Sequence, residues 1–184
     1  MSALWIAASL LIIFLILDRV QNILQRRAEA SREEKEAQLD VLKIITKQEL
    51  FKLESPERVT RWISRLLAML GYTDIHRNLL HEDDGYDFTC TEKGQKTYVV
   101  CSFIKAGGFE EPLNRTDVQK LVGAMVGDRI KKGMIITTGE LTDEARRYIE
   151  TLPVSFKITV LDGEKLMQKL QDLRKAKLKP LLES

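Results

Sequence analysis

Asp84-Gly85-Tyr86-Asp87-Phe88-Thr89-Cys90, then Glu92-Lys93-Gly94-Gln95, then Thr97-Tyr98-Val99-Val100-Cys101-Ser102-Phe103 is the stretch whose reading decides the fold. Both arms are rich in β-branched and aromatic residues with a period near two. A glycine-containing turn separates them, which specifies a β-hairpin. With Lys93-Gly94 as the two turn residues, Asp87 falls opposite Val100, on one face with Thr89, Tyr98 and Ser102. Tyr86, Phe88, Cys90, Val99, Cys101 and Phe103 fall on the other face, which is the core face. A single carboxylate beside a valine and a serine is the chemical question this hairpin poses.

The elements around the hairpin follow from caps and periodicity. Upstream, Ser55-Pro56-Glu57 is a helix start, with Ser as N-cap, Pro at the first helical position and an acid in the first turn. Val59, Trp62, Ile63, Leu66, Leu67 and Leu70 lie on one helical face, Gly71 ends it, and Tyr72 to Arg77 reads as a strand. Downstream, a loop from Lys105 to Arg115 contains Gly107, Gly108 and Pro112 but no phosphate-binding glycine pattern. Thr116 or Asp117 then caps a helix with the stripe Val118, Leu121, Val122, Met125 and Val126. A Lys131-Lys132-Gly133 turn leads to a strand over Met134–Thr138, Thr142 caps a helix from Asp143 to Glu150, and Val154 to Leu161 forms another strand. Asp162-Gly163 opens a last helix with Leu166, Met167, Leu170 and Leu173 on one face and Arg174, Lys175, Lys177 and Lys179 towards its end. This order describes an α/β sandwich with a mixed sheet.

The N-terminus is of another kind. Ala3 to Leu17 is an uninterrupted apolar run ended by Asp18-Arg19. As a helix it spans roughly 22 Å, against about 30 Å for a hydrocarbon core, and Val20, Ile23 and Leu24 can supply the difference with Arg19 snorkelling. It lacks the basic leader and small-residue cleavage site of a signal peptide, and it is apolar on all sides, unlike an ordinary core helix. A single-pass anchor over residues 1–24 is therefore expected, in contact with the lipid bilayer through Ala3–Leu17. Arg19, Arg26, Arg27, Arg32 and Lys35 all follow the run, so the N-terminus is expected outside and the remaining chain in the cytoplasm, at the inner membrane. Residues 25–54 read as a helical stalk, rich in charge, with alanine as the only apolar residue from Gln25 to Gln38. The folded domain is expected over 55–184.

Composition narrows the function. With 29 Lys+Arg against 27 Asp+Glu and a net charge of +2, the chain lacks the strongly basic character of a dedicated nucleic-acid binder, so any such binding has to come from a local patch. Cys90 and Cys101 have no metal-ligand spacing and form no disulfide framework, and they read as free core thiols. His76 and His81 lack a third ligand and read as surface residues.

From Val59 to Leu170 the chain resembles the Mrr-like restriction endonuclease family of the PD-(D/E)XK nuclease superfamily. The resemblance rests on Leu70-Gly71-Tyr72, Asp84-Gly85-Tyr86-Asp87, Val118-Gln119-Lys120-Leu121-Val122-Gly123-Ala124-Met125, Lys132-Gly133-Met134-Ile135-Ile136-Thr137-Thr138-Gly139, Leu141-Thr142-Asp143-Glu144-Ala145 and Leu161-Asp162-Gly163. It implies a metal-dependent phosphodiester hydrolase. An aspartate on the first hairpin strand and a glutamate or glutamine two residues before a lysine on the second hold a divalent ion, usually Mg²⁺, and orient the attacking water. Asp87 matches the aspartate, but Val100-Cys101-Ser102 stands where relatives carry Gln-Cys-Lys, and the acid of the first helix falls near Thr60. Lys105 is a substitute lysine of the wrong strand parity, and Glu110 and Glu111 are more simply solvated loop charges.

These departures imply a relic site: Asp87 retained, Val100 and Ser102 not competent, and no cofactor, with Mg²⁺ entering only if the protein is active. The preferred reading is a membrane-anchored, catalytically inactive nuclease-fold domain that serves as an interaction or scaffold module with other proteins of a membrane complex. An alternative is a module that binds or tethers DNA at the membrane through Lys105, Arg115, Lys120, Lys131 and Lys132. A third is an endodeoxyribonuclease with a relocated site.

Overall fold

The computed structural model describes the backbone of residues 2–43, 55–79, 84–103 and 112–182, and leaves out the side chains of 2–15, 34, 37, 40 and 178–182. The chain forms two units, residues 1–39 and 40–184. The first consists of most of helix α1 (Ser2–Lys43), which has no Gly or Pro to interrupt it. Ile16, Leu17, Val20, Ile23 and Leu24 are exposed along it, and Asn22 Nδ2 donates to Asp18 Oδ2 at 3.1 Å one turn back. Among the described residues no helix is long and apolar enough to cross a membrane. The side chains of the expected anchor, Ala3–Leu17, lie outside the described residues except for Ile16 and Leu17.

The second unit is built on a five-stranded sheet in the order β1-β2-β3-β4-β5. Its elements are α2 (Pro56–Met69), β1 (Thr73–Arg77), β2 (Phe88–Glu92), β3 (Gln95–Ser102), α3 (Arg115–Gly127), β4 (Lys132–Thr137), α4 (Asp143–Thr151), β5 (Lys157–Leu161) and α5 (Gly163–Leu182). β1, β2 and β3 are antiparallel neighbours, while β3, β4 and β5 run parallel, so the sheet is mixed as expected. The hairpin turn is also where expected. Glu92 pairs with Gln95, and Lys93 (φ 49°) and Gly94 (φ 75°) take the paired left-handed conformations of the two-residue turn that matches strand twist.

The period of two sends alternate residues to opposite faces, and both faces are covered. On one, Phe88, Cys90, Val99, Met134 and Ile136 pack against Trp62, Ile63, Leu66 and Leu67 of α2 and Leu166 and Leu170 of α5, joined by Val41. On the other, Tyr98 and Ile135 pack against Val118, Leu121, Val122 and Met125 of α3 and Ala145 of α4. Full burial of each such side chain stabilises the fold by about 1.5–3 kcal/mol relative to exposure. The Thr89/Tyr98 face is thus a second core rather than a polar surface. An Arg174 guanidinium N–H donates to the Leu42 carbonyl and ties the end of α1 to α5.

Local signals placed most ends correctly. The Ser55 hydroxyl accepts from the Arg58 N–H at 3.2 Å, and the Thr142 hydroxyl accepts from the Ala145 N–H at 3.2 Å. Four expectations need correction. α3 is capped by Asn114, not Thr116 or Asp117: its Oδ1 accepts from the Asp117 N–H at 3.3 Å, and from the Thr116 N–H at 2.7 Å, while Asp117 Oδ2 accepts from the Asn114 N–H at 2.9 Å, a reciprocal box that satisfies free donors at both ends. Lys132-Gly133 belongs to β4 rather than to a turn, because pairing with Thr97 and Tyr98 starts there. β5 starts at Lys157, and Val154, 93% exposed, sits in the preceding turn; Val126 likewise faces solvent at 57%.

Candidate functional site

The expected hairpin register holds from Glu92 opposite Gln95 up to Phe88 opposite Val99, then breaks at Asp87. There the Asp87 N–H donates to the Val99 carbonyl at 2.8 Å. Asp87 and Phe88 therefore both oppose Val99, which is a β-bulge with one residue extra on β2. The extra residue reverses side-chain parity upstream. Tyr86 accordingly leaves the Phe88 face on which it was expected and stacks on Tyr98 across the sheet, with ring centroids 3.9 Å apart.

The bulge gives Asp87 a task. In an unbroken ladder the Cys101 N–H would bond the Tyr86 carbonyl; here the Asp87 carboxylate takes that place, Oδ2 accepting from Cys101 N–H at 2.6 Å. The displaced Tyr86 carbonyl accepts instead from Asn78 Nδ2 at 3.3 Å, and the Asn78 N–H donates to the Asp87 carbonyl at 2.7 Å. Asn78 Nδ2 also reaches Asp84 Oδ2 at 3.0 Å. Although residue 87 is exposed as a whole, burial of its carboxyl pushes its pKa above the usual value, against the pull of the Cys101 N–H and the Arg77 charge. The Cys101 thiol is raised well above its usual range, first by burial and then by the Asp87 and Cys90 charges. Cys90 and Cys101 are both free and share one face, as expected.

The other positions of the family motif supply no ligands. Val100 is half-buried in the α3 core, and Ser102 is half-buried beside Thr137, its carbonyl accepting from the Thr138 N–H at 3.2 Å. The Thr60 hydroxyl donates back to the Pro56 carbonyl at 2.7 Å within its own helix. Among the described residues no group of three His, Cys, Asp or Glu side chains is placed to hold a metal ion. A divalent ion of the family's kind needs clustered oxygen ligands, and a lone carboxylate already engaged by a backbone N–H does not fit it. Lys105, Glu110 and Glu111 lie outside the described residues, as does His81.

The cations proposed for nucleic acid are split between two ends of the sheet. Arg115 begins α3 near the end of β4, its guanidinium 5.2 Å from the Tyr148 ring centre, and the Lys120 carbonyl abuts Gly85. Lys131 and Lys132 lie at the start of β4, about 16 Å of strand from Thr137. There Lys131 covers the Phe156 ring at 4.1 Å and Lys132 pairs with Glu92 at 2.6 Å. The residues that sequence reasoning missed are Asn78 and Arg77, the last residue of β1, which pairs with Phe88. Only the position of β1 beside β2 brings them to Asp87.

This fold, with an aspartate at the base of its central hairpin, is of the restriction-endonuclease class. The Mrr_cat restriction endonuclease family matches residues 51–170, well over half of the chain, and the chain belongs to that family. A curated relative, the type IV methyl-directed restriction enzyme EcoKMrr of Escherichia coli (strain K12), is 27% identical over 118 residues, covering 61% of this chain and 37% of that enzyme. The chain thus spans little more than a third of that relative's length. Among solved structures, the protein of unknown function AF1548 is 13% identical with a TM-score of 0.46, over 60% of this chain and 63% of that one. The MspJI restriction endonuclease in complex with a 27-mer oligonucleotide is 14% identical with a TM-score of 0.43, over 72% of this chain and 34% of that one. Neither of these two likenesses is high enough to argue from.

Proposed function

We propose that this protein is a membrane-anchored Mrr-type domain that does not cleave DNA and serves as an interaction or scaffold module in a membrane-associated complex. The observation that carries this reading is the engagement of Asp87: its carboxylate completes the β2–β3 ladder at Cys101, while Val100 and Ser102 offer neither ligand nor base. The apolar run Ala3–Leu17 and the arginines that follow it support an anchor with the domain on the cytoplasmic side. Full chain in detergent micelles, incubated with supercoiled plasmid and Mg²⁺, should leave the plasmid intact. Nicking that disappears in Asp87→Ala overturns the reading.

A second reading, DNA tethering at the membrane, is favoured by family membership and by the exposed Arg115 and Lys120 on the α3 side of the site. Gel-shift titration separates the two. Salt-sensitive DNA binding that weakens in Arg115→Ala and Lys120→Ala supports tethering, and no shift at low salt leaves the protein-partner reading. Separation of membranes from cytosol tests the anchor, since loss of residues 3–17 should release the chain.

A further inference from the structure

We infer that this chain pairs with a second copy of itself through strand β5, edge to edge and antiparallel about a two-fold axis at Thr159, so that one sheet runs through both copies. The pairing goes beyond the reading of Asp87 and does not depend on whether the domain cleaves DNA.

The sheet ends on β1 at one side and on β5 at the other. An edge strand presents a row of free N–H and C=O groups that invites another strand, and proteins blunt such edges with bulges, charges or proline. β1 is blunted in this way. Its register shifts between Thr73 and His76, Asp74 takes a φ of 49°, and Asp74, His76 and Arg77 are exposed along it. β5, Lys157-Ile158-Thr159-Val160-Leu161, keeps an unbroken register with β4 and carries neither bulge nor proline. The Lys157 N–H donates to the Lys131 carbonyl at 2.9 Å, so alternation turns the main-chain groups of Lys157, Thr159 and Leu161 towards β4 and those of Ile158 and Val160 outwards. Among the described residues nothing bonds these outward N–H and C=O groups.

The free groups fit one another in a single symmetric register. With the axis at Thr159, Ile158 forms a hydrogen-bonded pair with the partner's Val160, and Val160 with the partner's Ile158, so every outward group on both strands is used. An axis at Ile158 would need the Phe156 N–H, which already donates to the Pro153 carbonyl at 2.8 Å. An axis at Val160 would need the Asp162 carbonyl, which already accepts from the Leu166 N–H at 2.7 Å. Side chains agree with the Thr159 register. Thr159 meets the partner's Thr159, Ile158 lies beside the partner's Val160, and Lys157 faces the partner's Leu161, so no like charges oppose each other. Lys157 and Thr159 are exposed, which leaves their face of the edge open to the second strand. An isologous contact of this kind closes as a dimer.

The test is disulfide cross-linking of full chain in detergent micelles. In Thr159→Cys the new thiols face each other across the axis, on Cα atoms about 4.5 Å apart, and mild oxidation should give a covalent dimer on non-reducing electrophoresis. In Lys157→Cys the corresponding atoms stand about 14 Å apart, and no dimer should form. The wild-type chain, with its own free Cys90 and Cys101, is the control and should give none. Thr159→Lys sets like charges against each other at an exposed position and should weaken association in sedimentation at least about tenfold, as should Thr159→Glu. An equal mixture of these two variants should recover it. Equal cross-linking at positions 157 and 159, association that Thr159→Lys leaves unchanged, or a mixture that does not recover overturns the inference. A wild-type chain that stays monomeric at every concentration also overturns it and leaves the edge to an extended segment of another protein.

Discussion

The Asp87 carboxylate accepts the Cys101 backbone N–H at 2.6 Å, a bond made in the place where the Tyr86 carbonyl would otherwise stand. It turns the residue that matches the family's metal ligand into the terminal rung of a β-ladder.

Asp87→Ala leaves the Cys101 N–H without its acceptor and should cost about 1–3 kcal/mol of stability. Asp87→Asn keeps an acceptor oxygen and should lose much less. Urea denaturation of the two variants, followed by circular dichroism, distinguishes this structural role from a purely metal-binding one, for which both would leave stability unchanged.

The same residue sets a pH dependence. Its folded pKa is raised, so the folded state holds the proton more tightly than the unfolded chain does. The stability this contributes is fully present below the unfolded value of 3.8 and is lost as pH rises through the folded pKa. Asp162 has the opposite sign. Burial works against its charge, but the Lys165 N–H and the Lys165 and Arg146 charges outweigh it and lower its pKa, so its contribution is present above 3.8 and lost as pH falls through the folded pKa. Urea midpoints measured from pH 3 to pH 6 should fall less steeply on acidification in Asp162→Asn than in wild type, and more steeply in Asp87→Asn.

Gly85 combines a φ of 78° with a close approach: an added Cβ would lie 2.5 Å from the Lys120 carbonyl oxygen. Gly85→Ala should therefore cost more than Gly71→Ala, where φ is 91° but nothing lies within 4 Å. The left-handed conformation alone costs about 1–2 kcal/mol, and the clash adds to it. Melting temperatures of the two variants give the order.

Tyr98 is 2% exposed, stacks on Tyr86 and donates its hydroxyl to Asp128 Oδ2 at 2.5 Å. Tyr98→Phe should lose about 0.5–1.5 kcal/mol for the hydrogen bond, whereas Tyr98→Ala should lose about 3–5 kcal/mol by opening a cavity under α3. Equal losses in urea denaturation would show that the hydroxyl, not the packed ring, carries the contribution of Tyr98 to stability.

Much of the fold could be read from local chemistry. The Lys93-Gly94 turn, the Ser55 and Thr142 caps and the alternation through Val99 and Cys101 each reflect a preference of a few consecutive residues, and each stands where expected. The Asn114 cap was legible too, since Asn114-Arg115-Thr116-Asp117 has the spacing of a capping box. The bulge at Asp87 was not. Alternation carries a strand's parity forward only while the ladder is regular, and the extra residue arises where β1, through Asn78, competes for the Asp87 and Tyr86 carbonyls.

The contacts of Asp87 belong to the same second kind. Asn78, Asp87 and Cys101 are separated in sequence, and no local preference of any one of them anticipates the others. The residue types at the hairpin already specified a strand pair with Asp87 at its open end and Val100 and Ser102 in place of the family's polar pair. What that acid touches was decided by sheet order, because ladder hydrogen bonds depend on which elements become neighbours.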